Sequence, residues 1–270
     1  MQNIDPIWLA EPASIIALMV GIILYWRFKR RFAVAVLLYS LLAYSAAILV
    51  KGIFQEATFS DFRGIVGQNN HAALGLYYGL QTVLLEVGAA YLVARFAVSR
   101  GKMKAQDAEG YGIGLAFWEN AVLIGILNLV NLSADYAILS VGGNNSSIAQ
   151  TVYNAISTSQ PSLFWPPAEA LPFIGYALLE RVTSLLFHFS WGLLCLFAAY
   201  YRRVGLFLLA LPMGLLDFLV PFEPVLGVGR FEAIIFVLGL IVLGLTLLVT
   251  RGIRTQLAKE KQAAAAKPAV

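Results

Sequence analysis

The amino-acid sequence predicts an all-α, polytopic integral membrane protein with about seven transmembrane helices, its N-terminus outside and its C-terminus in the cytoplasm. Three observations predict this fold class. First, 60% of the 270 residues are apolar, only 13% are charged and the mean hydropathy is +0.77, whereas a soluble domain carries roughly 25% charged residues. Second, the chain contains seven long apolar runs. Third, most of its basic residues lie beside alternate runs.

Each apolar run is long enough to cross a bilayer, which takes roughly 20 residues. The runs cover residues 7–27, 32–52, 72–98, 109–132, 171–199, 205–222 and 230–250. They are continuous and not alternating, which indicates helices, and helices satisfy their own backbone groups in lipid. We therefore expect one transmembrane domain over residues 1–258 and a short disordered cytoplasmic tail at 259–270.

The basic residues predict the orientation. Of 19 Lys and Arg residues, 15 lie at residues 27–31, 95–104, 202–203 and beyond 250. These positions flank alternate runs on one side, and the positive-inside rule makes that side cytoplasmic. The sequence thus predicts a multi-pass protein of the cell membrane. Because the charges are dispersed over several loops, we attribute the pI of about 9.2 to topology and expect no nucleic-acid partner.

Cysteine and histidine are scarce, and this excludes several kinds of site. The single cysteine, Cys195, excludes an internal disulfide and a multi-cysteine zinc site, and the two histidines, His71 and His188, exclude a three-histidine metal centre. The longest predicted outer loop covers residues 133–170, and its residues 148–156 are expected to form a short interfacial helix. Whether this loop is a connector or a lid over a cavity stays open.

Several ionisable residues lie within the predicted spans, where a charge at the bilayer centre costs at least about 2.5–3.5 kcal/mol. Three acidic residues near run ends (Glu11, Glu223 and Glu232) are expected to reach water and are set aside. The deeper polar residues are Glu86 in the third run, Glu119 and Asn120 in the fourth, Glu180, Arg181, Ser184 and His188 in the fifth, and Asp217 in the sixth.

Their depths predict one shared polar cluster. At about 1.5 Å per residue, Glu86 and Glu119 lie at the same level, and Glu180 and His188 lie on either side of it. A cluster between the third, fourth and fifth helices is therefore expected, which Asp217 joins if the sixth helix tilts.

Pairing within that cluster is predicted from helix geometry. Ser184 lies one turn from both Glu180 and His188, so these three residues share one stripe of the fifth helix. Arg181 is expected to pair with Glu86 or Glu119 of a neighbouring helix and not with the adjacent Glu180.

Three segments that carry these polar residues resemble the YhfC-type intramembrane metallopeptidases, which are themselves similar to CAAX prenyl protease-like membrane proteases. The segments are Leu84–Ala89 (LLEVGA), Gly112–Glu119 (GIGLAFWE) and Glu180–His188 (ERVTSLLFH), with a weaker match at Met213–Asp217. The resemblance implies a peptidase that hydrolyses peptides with a metal-bound water. It implies Glu86 or Glu119 as the catalytic base and His188, Glu180 and Asp217 as metal ligands, with Arg181, Ser184 and Asn120 as further intramembrane polar residues.

The sequence also departs from the family pattern. Leu85 stands in place of the first of two paired glutamates, Ala89 in place of an arginine, and Leu115 and Met213 in place of ligand histidines. Two alternatives therefore stay equally open: the site binds a zinc ion, or it binds no cofactor. Whether the protein is an enzyme also stays open. We expect a degenerate metal or catalytic site.

Such a site is expected to bind a membrane-embedded peptide or lipid. Two alternatives stay open. Protonatable glutamates at midplane are also typical of a proton-coupled transporter, and the chain is also compatible with a structural subunit of a larger complex. The expected partners are membrane lipids and an embedded peptide or partner membrane protein.

Overall fold

The computed structural model describes residues 2–142 and 146–265, with side chains described up to residue 256. The described residues are 90% helical and contain no strand, and seven of their helices are long and apolar enough to cross a membrane. The predicted all-α, seven-span fold class is therefore confirmed. The helices are α1 (Pro6–Arg30), α2 (Ala35–Val66), α3 (His71–Ser99), α4 (Ala105–Gly142), the short α5 (Ser147–Ser159), α6 (Pro167–Tyr201), α7 (Val204–Leu226) and α8 (Val228–Ala265).

Helix α6 is the centre of the bundle. Residues 187–198 are all buried, and α6 packs against α1, α3, α4, α7 and α8. In its most apolar stretch 78% of the residues are buried, against at most 28% in any other span. Arg181, Ser184 and His188 of α6 are themselves buried and therefore face other helices and not lipid.

Glycines let α4 approach α6 closely. A Cβ added to Gly112 of α4 would lie 2.5 Å from the carbonyl oxygen of Phe189, and one added to Gly192 of α6 would lie 2.5 Å from the Cα of Gly112. The two backbones therefore touch here, as small residues permit between membrane helices. Glu119 follows Gly112 by about two turns and is thereby held against α6.

A second close approach joins α3 to α7. Gly75 and Gly79 of α3 lie directly against Phe218, with no room for a Cβ at Gly75. Around this contact α7 is a 3₁₀-helix from Leu211 to Phe218, which is narrower than an α-helix. Asp217, next to Phe218, is thus carried to the face of α3 that bears Glu86.

Three spans are longer than predicted, and one of them is α8, which continues to Ala265 instead of ending near residue 250. Helix α2 continues to Val66 instead of ending near residue 52, and α4 continues to Gly142 instead of 132. In α2 the extension is stabilised by aromatic packing, because Phe54 and Phe62 stack on Tyr77 of α3 with ring centroids 6.0 and 4.7 Å apart. The segment 53–66 is therefore helix and not loop.

The segment between α4 and α6 contains the expected short helix as α5. Ser146 caps it by accepting a hydrogen bond from the backbone N–H of Ala149. Ala149 and Ile156 pack with Leu139 of α4 and with Trp8, so α5 lies against the end of α4 and the start of α1. The glycine- and asparagine-rich residues 143–145 lie outside the described residues, as do 266–270. The domain limit at 258 and the orientation of the termini stay predictions, whereas residues 259–265 of the expected disordered tail are part of helix α8.

Candidate functional site

Glu86 and Glu119 lie in irregular turns of their helices. Glu86 belongs to a π-helical segment, Thr82–Val87, inside α3, and Glu119 belongs to another, Trp118–Ile126, inside α4. π-helical turns inside α-helices occur frequently at functional sites. Each one widens its helix at the level where the predicted polar cluster lies.

Between these turns lies a cavity of about 250 Å³. It brings together the five residues predicted as catalytic base or metal ligand. Its ionisable lining residues are Tyr44, Lys51, Glu86, Glu119, Glu180, Arg181, His188 and Asp217. Leu123, Ile124, Phe231 and Ile235 supply an apolar wall. Asn120 is fully buried behind this surface.

Lys51 of α2 forms the first of two charged groups in the cavity. Its Nζ lies 2.6 Å from Glu86 Oε1 and 3.0 Å from Asp217 Oδ2, and it donates a hydrogen bond of 2.8 Å to Thr82 Oγ1. The Thr82 hydroxyl in turn contacts Asp217 Oδ2. One ammonium group is thus surrounded by three oxygens from α3 and α7.

Lys51 was missed by sequence reasoning. The second run was predicted to end at residue 52, and a lysine at a span end normally reaches the headgroup region. The available signal was the aromatic pattern after it (Phe54, Phe59 and Phe62), which continues the helix and places Lys51 well inside α2.

Arg181 of α6 forms the second charged group. Its Nη1 lies 3.4 Å from Glu119 Oε1 and donates to Asn120 Oδ1 at 3.2 Å. Its Nη2 contacts Glu180 Oε1, so the prediction that Arg181 does not pair with its neighbour was wrong. The long, flexible Arg181 side chain reaches back to the adjacent carboxylate, while the predicted pairing with Glu119 is present as well.

His188 lies between the two charged groups. Its Nδ1 lies 2.9 Å from the carbonyl oxygen of Ser184, and because a carbonyl only accepts, Nδ1 carries a proton. Nε2 then faces the carboxylates, 2.8 Å from Glu119 Oε2 and 3.8 Å from Glu86 Oε2, without the alignment of a hydrogen bond. The Trp191 ring packs on the imidazole at a centroid distance of 4.2 Å.

Ser184 links Glu119 of the second charged group to the imidazole of His188. Its Oγ lies 3.2 Å from Glu119 Oε2 and 3.2 Å from His188 Nδ1. Because Nδ1 is directed at the Ser184 carbonyl, the imidazole is not poised to take the hydroxyl proton. The hydroxyl is therefore placed to hold Glu119, not to attack a substrate.

Glu232 corrects one further expectation. It was predicted to reach water at a span end, but it is 4% exposed and its Oε2 has no hydrogen-bond partner among the described residues. It does not line the central cavity. Burial by neighbouring helices, which span position alone does not reveal, accounts for the difference.

The arrangement of these candidate donors can be compared with the ligand set of a catalytic metal ion. A catalytic zinc takes three protein ligands and keeps one open position. Across the described residues, no three His, Cys, Asp or Glu side chains are arranged to hold one metal ion. Glu86 and Asp217 are directed at Lys51, and Glu119 is shared by Arg181, Ser184 and His188. In this arrangement the residues do not fit a metal centre.

A protein-family model matches residues 15–226, from the first turns of α1 to the end of α7. This chain belongs to the YhfC intramembrane metalloprotease family. The YhfC match includes all the charged residues of the cavity. Comparisons with curated proteins and with solved structures found no match.

The positions where this YhfC sequence departs from the expected family pattern lie away from the cavity. Leu85, Leu115 and Met213 are not among its lining residues. Leu115 is 2% exposed and packs next to Gly192 of α6. The catalytic role of Glu86 or Glu119 and the metal-binding role of His188, Glu180 and Asp217 stay predictions.

Proposed function

We propose that this YhfC-family protein has a degenerate metal site and binds a membrane-embedded polypeptide segment instead of hydrolysing it with a metal-bound water. The observation that carries the proposal is the position of Lys51. Its ammonium lies 2.6 Å from Glu86 Oε1 and 3.0 Å from Asp217 Oδ2, so it supplies internally the positive charge that these carboxylates would otherwise share with a cation.

The remaining candidate donors support the same proposal. Glu119 is bound by Arg181 and Ser184, and Glu180 is bound by Arg181. Of the five candidate donors, the His188 imidazole is then the one that does not bind the Lys51 or Arg181 side chain. A single histidine falls short of the three ligands that a catalytic zinc takes.

A polypeptide suits the two-sided lining of the cavity. Leu123, Phe231 and Ile235 form an apolar wall opposite the charged residues. A transmembrane segment has apolar side chains together with backbone amides and carbonyls that need partners in lipid. The family's name describes proteases, whose substrates are polypeptides. Because Lys51 and Arg181 hold the carboxylates, we expect the cavity to bind such a segment without cleaving it.

The degenerate site is tested by metal content. The full chain is purified in mild detergent without chelator, and bound metals are measured by elemental mass spectrometry beside His188→Ala. We expect no stoichiometric metal in either protein. About one zinc per chain that is lost in His188→Ala would overturn the proposal, because zinc binding would then depend on the candidate ligand.

The occupant is tested by photo-crosslinking in native membranes. A benzophenone amino acid replaces Leu123, which lines the cavity and is 39% exposed. The control replaces Leu127, one turn further along α4, which is 49% exposed and does not line the cavity. We expect polypeptide adducts at Leu123 and lipid adducts at Leu127. Lipid adducts alone at both positions would contradict polypeptide binding.

A further inference from the structure

A second polar cavity lies at the end of the bundle where α3 and α6 finish and α7 begins. Its volume is about 600 Å³. Tyr91, Arg95 and Ser99 of α3 line one side, and Tyr200, Arg202 and Val204 line the other. Among the side chains that the structure describes, no Asp or Glu lines it. We refer to it as the Arg95–Arg202 cavity. It shares no lining residue with the central cavity.

The two arginines of this cavity are free to bind a ligand. Both are exposed, and within the described part of the chain neither guanidinium has a hydrogen bond, ion pair or ring contact. At the same end, Arg30 and Arg254 differ from them, because both bind Glu109, at 2.9 and 3.3 Å. Arg95 and Arg202 thus place two positive charges in one cleft, with no carboxylate among its described lining residues.

Apolar surface adjoins the cavity. Tyr91 is stacked on Phe207 at a centroid distance of 4.2 Å and forms one wall. Beside it, Leu92 is 63% exposed, and Val204 and Leu208 are 58% and 57% exposed on α7. These side chains belong to the lipid-facing surface of two spans. A ligand held by the arginines would therefore have apolar surface next to it.

We propose that the Arg95–Arg202 cavity binds the headgroup of an anionic phospholipid, its phosphate between the two guanidinium groups and its acyl chains along Leu92 and Leu208. Guanidinium groups bind phosphate oxygens through pairs of N–H donors, and basic pockets between membrane helices are typical sites for anionic headgroups. A zwitterionic headgroup fits less well, because the described lining residues offer no carboxylate to its ammonium group.

The test uses the full chain in mild detergent and measures lipid adducts by native mass spectrometry. The lipids are phosphatidylglycerol and phosphatidylcholine with the same acyl chains. We expect phosphatidylglycerol to bind the native sequence, and Arg95→Gln with Arg202→Gln to weaken that binding by about 10- to 30-fold. The conservative pair Arg95→Lys with Arg202→Lys keeps the charge and retains most of the binding. The single Gln variants carry the test if the double variant does not fold.

The matched control is Arg251→Gln, because Arg251 is an exposed arginine of α8 that does not line the cavity. This variant should bind phosphatidylglycerol as the native sequence does. The proposal is overturned if Arg251→Gln loses as much binding as the Arg95 and Arg202 variants. It is also overturned if phosphatidylcholine binds equally well. Displacement of the lipid by inorganic phosphate alone would identify a free-phosphate site and would likewise overturn it.

Discussion

Lys51 Nζ of α2 lies 2.6 Å from Glu86 Oε1 of α3, and this ion pair joins the two helices inside the central cavity. Asp217 of α7 joins the same ammonium at 3.0 Å. One positive charge therefore ties three helices together. Removing one member of a buried ion pair leaves the others uncompensated, which costs more than the pair itself contributes.

Replacement of Lys51 should therefore destabilise the fold. In Lys51→Met the carboxylates of Glu86 and Asp217 lose their shared cation, and we expect the free energy of unfolding to fall by about 3 kcal/mol. The measurement is denaturant unfolding in mild detergent, followed by tryptophan fluorescence.

The control for Lys51 is Arg63→Met on the same helix. Arg63 is exposed and lies over the ring of Phe59, 5.9 Å from its centroid. A surface change of this kind should alter stability by about 0.5 kcal/mol or less. Equal losses in the two variants would contradict a special role for Lys51.

Glu119 and Glu180 should contribute differently to the free energy of unfolding, although both contact Arg181. The Glu119 side chain is 20% exposed and also meets Ser184 and His188, whereas the Glu180 side chain is 45% exposed. Partly exposed ion pairs contribute little, and buried charged hydrogen bonds contribute about 1.5–3 kcal/mol. We expect Glu119→Gln to reduce unfolding free energy by about 2 kcal/mol and Glu180→Gln by about 0.5 kcal/mol or less. The reverse order, measured in the same unfolding assay, would refute this account of the cluster.

Hydropathy and charge predicted the helical class and the approximate position of every span, because lipid constrains both strongly. They did not predict how far α2 continues, since residues 53–66 are polar enough to be taken for a loop. The extension depends on rings of α3 stacking on those of α2, Tyr77 on Phe62 for example. Such a tertiary contact leaves no periodic signal in either segment alone.

The candidate site was predictable in depth but only partly in pairing, since the Arg181–Glu119 ion pair was predicted and the Lys51–Glu86 ion pair was not. Equal distances from the span ends placed Glu86 and Glu119 at one level, and both line the cavity. Which cation faces each carboxylate depends on helix rotation and on the π-helical turns at Thr82–Val87 and Trp118–Ile126. Neither is encoded in span length, so Lys51 was overlooked as the partner of Glu86.

The contact between α4 and α6 should not tolerate a methyl group. In Gly112→Ala the new Cβ would lie 2.5 Å from the Phe189 carbonyl oxygen, so the helices must separate, at a cost of about 1–3 kcal/mol. Unfolding in mild detergent measures the loss.

The matched control for Gly112 is Gly175→Ala on α6, where nothing lies within 4 Å of an added Cβ. Alanine is favoured over glycine in a helix by about 0.5–1 kcal/mol, so this variant should be neutral or slightly more stable. A loss of stability as large as that of Gly112→Ala would show that the effect is not one of helix contact.

The orientation predicted from the basic residues can be tested with single cysteines. Cys195 is fully buried, so the native chain should react little with a membrane-impermeant maleimide. Thr158 of α5 and Lys102, between α3 and α4, are exposed at opposite ends of the bundle. Because the positive-inside rule places the basic end in the cytoplasm, Thr158→Cys should be labelled on intact cells and Lys102→Cys only after permeabilisation. The opposite labelling pattern would invert the predicted topology.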